Sequence, residues 1–527
     1  MSATLKVWGR STLVDLFREN ARLFPDKPFI RFAGRSFSYS EVNQASEEFA
    51  RLLQAAGAGH RSRVAIAMSN RPAFLVAFLG ILRCGAVAVP LNTSYKADEY
   101  LYALDHASCC AVVSENDFAT VLQDVCTRTR STIPLFLAED DSPLCFLNSA
   151  AQAPAPVPAL SEPHLTPEDL AGIFYTSGTT ARPKGVMILH GNLLYSAEVT
   201  IRCLSLTLHD VPALAFPLFH ANSLFYGVLT SIVLGGTIGL LHGFSLSRYW
   251  QQVNEAGATW TPGITGPLMR LLLRQEKSDE ESRIRMRFAV GGTFLSLQEV
   301  QEFTARFGVR LLPGWSMTET VSLGTLHPNL RDLPIPETTS IGYPTLGQEI
   351  RIVRDDGSSA EPGEPGEILY RSPSLFAGYL DDPESTRNAF TENGWLRTGD
   401  LARMDPGGYL SFVDRKKDMI KTRGENVAAA EVERVLNEHP GVRESAVIGV
   451  RSEDGLLGEQ VEAFVVRSGQ DEVDDETLRL WVAEKLADFK VPRVFHFVEA
   501  LPKTPLGKIQ RQELRKNRSS SAAGKKQ

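Results

Sequence analysis

The chain has 527 residues, 43% of them hydrophobic, and carries a net charge of −7. That length and apolar content predict more than one buried core and therefore several domains. The acidic balance argues against a general affinity for nucleic acid or anionic membrane, and six cysteines without CxxC spacing argue against a zinc site or a disulfide framework.

Near the N-terminus, Asp15, Arg18 and Glu19 interrupt the apolar residues, so Leu13–Arg22 reads as an amphipathic helix and not as a secretory leader. A helix over Val42–Ala55, a strand over Arg63–Met68, a helix over Phe74–Arg83 and a strand over Ala86–Pro90 follow. Arg83, Gly85 and Pro90 break the apolar run Ala73–Leu91, which argues against a membrane span. The alternation predicts an α/β fold with parallel strands. All six cysteines lie before residue 204, and reduced thiols in a cytoplasmic protein fit them. Ala151–Leu160, AQAPAPVPAL, reads as an extended linker.

Next comes the apolar strand Leu170–Tyr175 and then the stretch YTSGTTARPKGV, Tyr175–Val186. It brings together the hydroxyls of Thr176, Ser177, Thr179 and Thr180, the backbone of Gly178 and the ammonium of Lys184. Hydroxyls, backbone N–H groups and a lysine are what hold polyphosphate oxygens, and glycine allows close backbone approach. The stretch cannot be laid on GxxxxGK[ST], so it is not a Walker A loop. A polar turn between strands is the competing reading, and the order TSGTT-x-x-PKG is too specific for it. Further on, Trp315-Ser-Met-Thr-Glu319 sets a hydroxyl at Thr318 beside a carboxylate at Glu319, groups suited to a phosphate and to Mg²⁺. Glu361–Glu367, EPGEPGE, is a turn-rich connection before the strand Ile368–Arg371. The last hundred residues alternate short strands (Ser445–Val450, Val461–Val466) with charged helices (Ala429–Asn437, Asp475–Leu486) and predict a small α+β domain. The basic, serine-rich end reads as disordered.

The Tyr175–Val186 stretch closely resembles the signature of the adenylate-forming superfamily, which holds acyl-CoA synthetases, peptide-synthetase adenylation domains and luciferases. The resemblance runs from Leu13 to Leu514 with the motifs in family order, and is strongest to acyl-CoA and carnitine-type CoA ligases. It implies a large multi-subdomain α/β domain over 1–414, a hinge at 415–417 pivoting on Lys417, a small mobile α+β domain over 418–515 and a disordered tail over 516–527. By the same resemblance ATP is held by Thr176, Ser177, Gly178, Thr179, Thr180 and Lys184, by Gly292 and Thr293, and by Trp315, Ser316 and Thr318. Trp315 would stack on adenine, Glu319 would hold Mg²⁺, Asp400 in Asn393–Asp400 would accept the ribose hydroxyls, and Arg415 would reach the nucleotide. His220, ending Pro217-Leu-Phe-His220, would gate an acyl pocket finished by Asn222, Gly263 and Gly291. Lys508, closing Pro502-Lys-Thr-Pro-Leu-Gly-Lys508, would neutralise charge as the carboxylate attacks the α-phosphate. Arg423 and Gly424 would line the path of coenzyme A. The chain departs from the usual pattern at Ala181, Trp315, Ser316 and Arg423.

The implied activity is an ATP-dependent carboxylate–CoA ligase that forms an acyl-adenylate, with pyrophosphate and AMP as products. Adenylation feeding a separate carrier protein and a nucleotide-binding regulator with lost chemistry are the alternatives. The acid and the oligomeric state, including a homodimer, stay open.

Overall fold

In the computed structural model the described residues are 12–139, 146–148, 159–176, 183–291, 295–330, 333–416, 418–422, 425–451, 459–469, 473–503, 507 and 509–523. The chain divides into two compact units, one of residues 1–349 and 370–396, the other of 350–369 and 397–527.

The larger unit is built on an eight-stranded sheet. Across it lie Gly378–Tyr379, Lys184–Leu189, Leu170–Thr176, Val87–Pro90, Arg63–Ala67, Ala111–Ser114, Leu135–Ala138 and Phe146–Asn148. The five strands from Leu170–Thr176 to Leu135–Ala138 run parallel, and those outside them pair antiparallel. Runs such as Val87–Pro90 are buried along their whole length, as a sheet covered on both faces requires. The helices that cover it start on local signals. Thr12 with Asp15 and Ser38 with Glu41 form capping boxes for Leu13–Leu23 and Tyr39–Ala55. Helix Pro72–Arg83 opens on proline and is buried all round. At its end Arg83 bonds Glu47 and Glu162, so the charge enters the interior already paired. A four-stranded sheet (Ala213–Leu214, Ile238–Leu240, Pro28–Phe32, Arg35–Ser38) and a parallel three-stranded sheet (Trp260–Ile264, Phe288–Gly291, Arg310–Leu312) complete the α/β scaffold. The expected α/β class with parallel strands is what the structure shows, and among the described residues no helix is long and apolar enough to cross a membrane.

In the smaller unit, Leu410–Arg415, Leu396–Met404, Gly366–Arg371 and Glu349–Val353 lie side by side, the first two as an antiparallel pair. After the hairpin Met419–Thr422/Glu425–Ala428 comes the α+β module of Val442–Arg451, Glu459–Arg467 and Val494–Phe497. On one face of this sheet Val447, Val461, Ala463 and Val465 pack with Val432, Val435 and Leu436 of helix Ala429–Asn437. On the other face Ala446, Ile448, Phe464 and Val466 meet Leu501 and Leu514. Leu514 belongs to a helix that spans Arg511–Ala523, which runs into the tail over 516–527 that the sequence reads as disordered; residues 524–527 lie outside the described residues. The second face of the sheet needs an apolar cover, and Arg518 of the same helix pairs with Glu462, whose side chain is wholly buried. Composition alone, basic and serine-rich, hid that one leucine.

Candidate active site

The phosphate-type stretch leaves one end of an antiparallel hairpin. Strands Leu170–Thr176 and Lys184–Leu189 are paired with Thr176 opposite Lys184, so both expected ligands stand at the mouth of the turn. Ser177, Gly178, Thr179 and Thr180, with Ala181, lie outside the described residues. Both feet of the turn are held by helix Ala97–His106. Tyr102 Oη donates to the Pro183 carbonyl at 3.0 Å. His106 Nδ1 lies 2.8 Å from Tyr175 Oη, which also reaches the Ala103 carbonyl at 3.2 Å.

Lys184 Nζ donates to Ser385 Oγ at 2.7 Å, stands 3.9 Å from Asp382 and lies 4.8 Å from the centre of the Tyr379 ring. Tyr379 Oη in turn donates to Glu319 Oε1 at 3.0 Å. Burial, followed by the neighbouring Glu319 charge, raises the Tyr379 phenol well above its usual range, so it stays a donor. Through one tyrosine the structure therefore links Lys184 to Glu319, two residues 135 positions apart in sequence. Glu319 sits in the short helical turn Thr318–Thr320 and is 8% exposed. Val321, just beyond, has φ of +59°, a left-handed conformation unusual for a β-branched residue. Ser196 Oγ holds its carbonyl at 3.1 Å. Such strain, on the order of 1–3 kcal/mol, persists where the surroundings over-determine it and gathers at functional sites.

Among the described residues no group of three or more His, Cys, Asp or Glu could hold a metal by protein ligands alone. Mg²⁺ bound with a nucleotide takes one or two protein carboxylates and otherwise phosphate and water oxygens. Glu319 has Oε1 on Tyr379 and fits the part of a single carboxylate.

Trp315 is 7% exposed and meets the Tyr370 ring edge-on with centroids 5.8 Å apart. Ser316 is near enough to the buried Tyr226 phenol to temper the rise that burial imposes on it. Tyr226 lies in the π-helical segment Asn222–Val228, a rare geometry often found at functional sites. Two residues before that segment comes His220, whose imidazole burial pushes down to about 4, so it is neutral near pH 7. Its Nε2 is buried without a hydrogen-bond partner, and so is Asn222 Oδ1. Asn222 Nδ2 donates to the Pro262 carbonyl at 3.2 Å, and a Cβ on Gly263 would come within 2.2 Å of that nitrogen. Gly291, with φ of +129°, lies against the Ile264 carbonyl, which a Cβ would meet at 2.2 Å. These glycines make room for protein as well as for a ligand. Asn70 fixes the strand ends around His220 by donating to the carbonyls of Phe216 and Leu241 and accepting from the Leu218 N–H. Gly292 and Thr293 lie outside the described residues.

In the smaller unit Asp400 and Arg415 are opposite each other on paired strands, with Arg415 Nε 3.3 Å from Asp400 Oδ1. Asp400 is 6% exposed. Lys417, Arg423, Gly424 and Lys508 lie outside the described residues. Their neighbours are firmly held. Lys416 pairs with Glu367 at 3.0 Å and Asp355 at 2.9 Å, and Asp418 lies 3.5 Å from Arg511 and 3.6 Å from Arg515. Lys503 and Ile509 form a bridge on either side of 504–508.

Sequence reasoning missed Tyr379, Tyr102, His106 and Tyr226. None stands in a motif, and each is brought in by topology. Tyr379 comes from the edge strand beside Lys184–Leu189, and Tyr102 and His106 from a helix some seventy residues upstream of the turn.

Residues 17–380 match the family of AMP-binding enzymes, and residues 431–508 match the AMP-binding enzyme C-terminal domain. The crotonobetaine/carnitine–CoA ligase of Salmonella arizonae is 31% identical over 97% of this chain and 100% of its own. A long-chain-fatty-acid–CoA ligase of Escherichia coli O157:H7 is 32% identical, over 96% of this chain and 94% of that one. Among solved structures, ATP-bound MatB from Rhodopseudomonas palustris superposes with a TM-score of 0.83 at 30% identity, covering 96% of this chain and 98% of that one.

Proposed function

The chain belongs to the AMP-binding enzyme family, and on that premise we propose that it is an AMP-forming acid–thiol ligase that joins a carboxylic acid to coenzyme A. The observation that carries this reading is the hairpin mouth, where Thr176 and Lys184 face each other and Tyr379 ties Lys184 to Glu319. A carboxylate oxygen attacks the α-phosphorus of ATP, the bond to the β-phosphate oxygen breaks, and pyrophosphate leaves. The coenzyme A thiol gives up its proton to solvent, its sulfur attacks the acyl carbon, and AMP leaves with the electron pair of the broken C–O bond.

Each residue has a part in these steps. Thr176 and Lys184, with Ser177, Gly178, Thr179 and Thr180, bind the phosphates. Gly292, Thr293, Trp315 and Ser316 frame the base, and Asp400 and Arg415 take the ribose. Thr318 and Glu319 orient the triphosphate, where bound Mg²⁺ supplies positive charge. Lys508 balances charge during attack. His220, Asn222, Gly263 and Gly291 admit the acid, and the neutral imidazole of His220 does not repel or trap a carboxylate by charge. Buried Phe219, Leu224 and Phe225 favour an aliphatic, alicyclic or aromatic acid. Arg423 and Gly424 guide coenzyme A after the small domain turns about Lys417. The reaction takes place in the cytoplasm, in keeping with free thiols at Cys84, Cys109, Cys110, Cys126 and Cys203.

The test is pyrophosphate exchange and thioester formation across a panel of carboxylic acids, with Glu319→Gln alongside. The variant keeps the hydrogen bond to Tyr379 in shape but loses charge. It should need more Mg²⁺ for half-maximal exchange and recover part of its rate as Mg²⁺ is raised. Wild-type behaviour at limiting Mg²⁺ would remove Glu319 from the site.

A further inference from the structure

Away from the hairpin mouth, the hairpin Pro28–Phe32/Arg35–Ser38 and the helix Tyr249–Ala256 border an open cleft of about 300 Å³. None of the residues proposed for adenylation lines it. Its charge is unusual for a chain of net −7. Arg31, Arg35 and Arg248 line it, together with His242, against the one acid Glu255. Several arginines elsewhere in this unit face carboxylates, as Arg71 does Glu115 at 2.7 Å and Arg306 does Glu281 at 2.6 Å. In the cleft they do not. Among the described residues, Arg31 donates only to the Ala256 carbonyl at 3.1 Å, Arg35 lies 5.1 Å over the Phe37 ring, and Arg248 has no side-chain partner. Glu255 is already engaged by Gln251 Nε2 at 2.9 Å. The positive field registers on His242, which burial and then the Arg248 and Arg71 charges push below its ordinary value.

Two further features narrow the ligand. The Phe32 and His242 rings stand 4.3 Å apart and give the cleft an aromatic wall. Gln252, which also lines it, has a buried Oε1 with no donor. Unpaired guanidinium groups call for phosphate oxygens, an aromatic wall for a flat ring, and a lone amide oxygen for an N–H donor.

We propose that this cleft is a second nucleotide site, which binds a phosphorylated adenine nucleotide with its phosphates on Arg35 and Arg248 and its exocyclic amine toward Gln252. That chemistry comes from two sources, the phosphorylated nucleotide end of coenzyme A or a free adenine nucleotide.

Calorimetric titration of the full chain with adenosine 3′,5′-bisphosphate tests the site without any turnover, so its result is independent of the ligase reading. Both arginines are exposed, and Arg35→Ala/Arg248→Ala should fold and exchange pyrophosphate as wild type does. The double variant should bind the bisphosphate about tenfold more weakly or worse, and Arg35→Lys/Arg248→Lys should regain part of the loss. The second arm compares coenzyme A with 3′-dephospho-coenzyme A in thioester formation. If coenzyme A is the source, the double variant raises KM for coenzyme A and erases the preference over the dephospho form. If a free nucleotide is the source, both KM values stay at wild type while bisphosphate binding is still lost. Absence of bisphosphate binding to wild type, or equal binding to wild type and double variant, overturns the proposal.

Discussion

The two units steady their functional segments by opposite means. In the larger unit the feet of the phosphate turn are held by neutral groups, Tyr102 on the Pro183 carbonyl and His106 on Tyr175. In the smaller unit the segments around 417 and 508 are held by buried charge. Arg511 makes two 2.8 Å bonds to Glu433, lies 3.5 Å from Asp418, and starts the helix that follows residue 508. Burial pushes the Glu433 carboxyl up, and Arg511 pulls it back. Burial also works against the Arg511 cation, but Glu433, Asp414 and Asp418 together raise it. Neutral anchors leave Lys184 as the charge at the mouth of the turn, where the proposed function has it meet a polyphosphate. Ionic anchors instead make the smaller unit depend on each partner, because losing one strands the others.

The sharpest way to break this contrast is Arg511→Met. It leaves Glu433, Asp418 and Asp414 without their shared cation, and removing one partner of a buried pair costs about 3–5 kcal/mol. Urea unfolding should lose that much, and Arg511→Met/Glu433→Gln should recover part of it. A midpoint unchanged by Arg511→Met would mean that the network adds nothing. Next comes Lys508→Ala, expected to slow adenylation on the order of 10²–10³-fold while thioester formation from supplied acyl-adenylate survives. Equal loss in both steps would sink the assignment of Lys508 to adenylation alone.

The larger unit has its own buried titratable group. His190 opens helix His190–Leu204 with Nδ1 unpartnered, and burial pushes it down to about 4. Its folded value lies below the unfolded one near 6.5. The unfolded chain therefore takes up the proton first, and stability present above pH 6.5 drains away as pH falls toward 4. Wild type should lose up to about 3 kcal/mol relative to His190→Leu across that window. Parallel pH curves for the two would mean that burial does not hold His190 neutral. Smaller again is Lys417→Pro, which fixes φ near −65°. Pyrophosphate exchange should persist and thioester output fall by about tenfold or more if Lys417 is the pivot. Normal thioester output would place the pivot elsewhere.

The contrast also explains what could be read from the sequence. Elements with unbroken apolar runs, such as Leu170–Thr176 and Pro72–Arg83, were legible because burial on every side leaves a one-dimensional trace. Asp400 and Arg415 were legible as members of a motif, and the structure pairs them. The tail helix was not, because its single buried Leu514 is too sparse to show a period. Tyr379 was not, because its role is set by its place on the edge strand beside Lys184. The compact units also divide at 396/397 and take in 350–369, whereas the sequence reading sets its boundary at 414 on the strength of a motif.

The smallest expected effect tests the neutral anchors. Tyr102→Phe removes one hydroxyl that donates to the Pro183 carbonyl and leaves the ring stacked on His106, with centroids 5.3 Å apart. A neutral hydrogen bond of this kind is worth about 0.5–1.5 kcal/mol. Releasing one foot gives the turn more conformations to lose when phosphate binds, so the change should appear as a KM for ATP raised by about two- to tenfold, with kcat for exchange little altered. A variant that was merely less stable would instead lose active enzyme at unchanged KM. His106→Phe, which frees the other foot, should act in the same direction, and the double variant should exceed either alone. If Tyr102→Phe lowers kcat at constant KM, the helix is acting on the chemical step, and the division between neutral anchors for binding and charged anchors for the smaller unit fails.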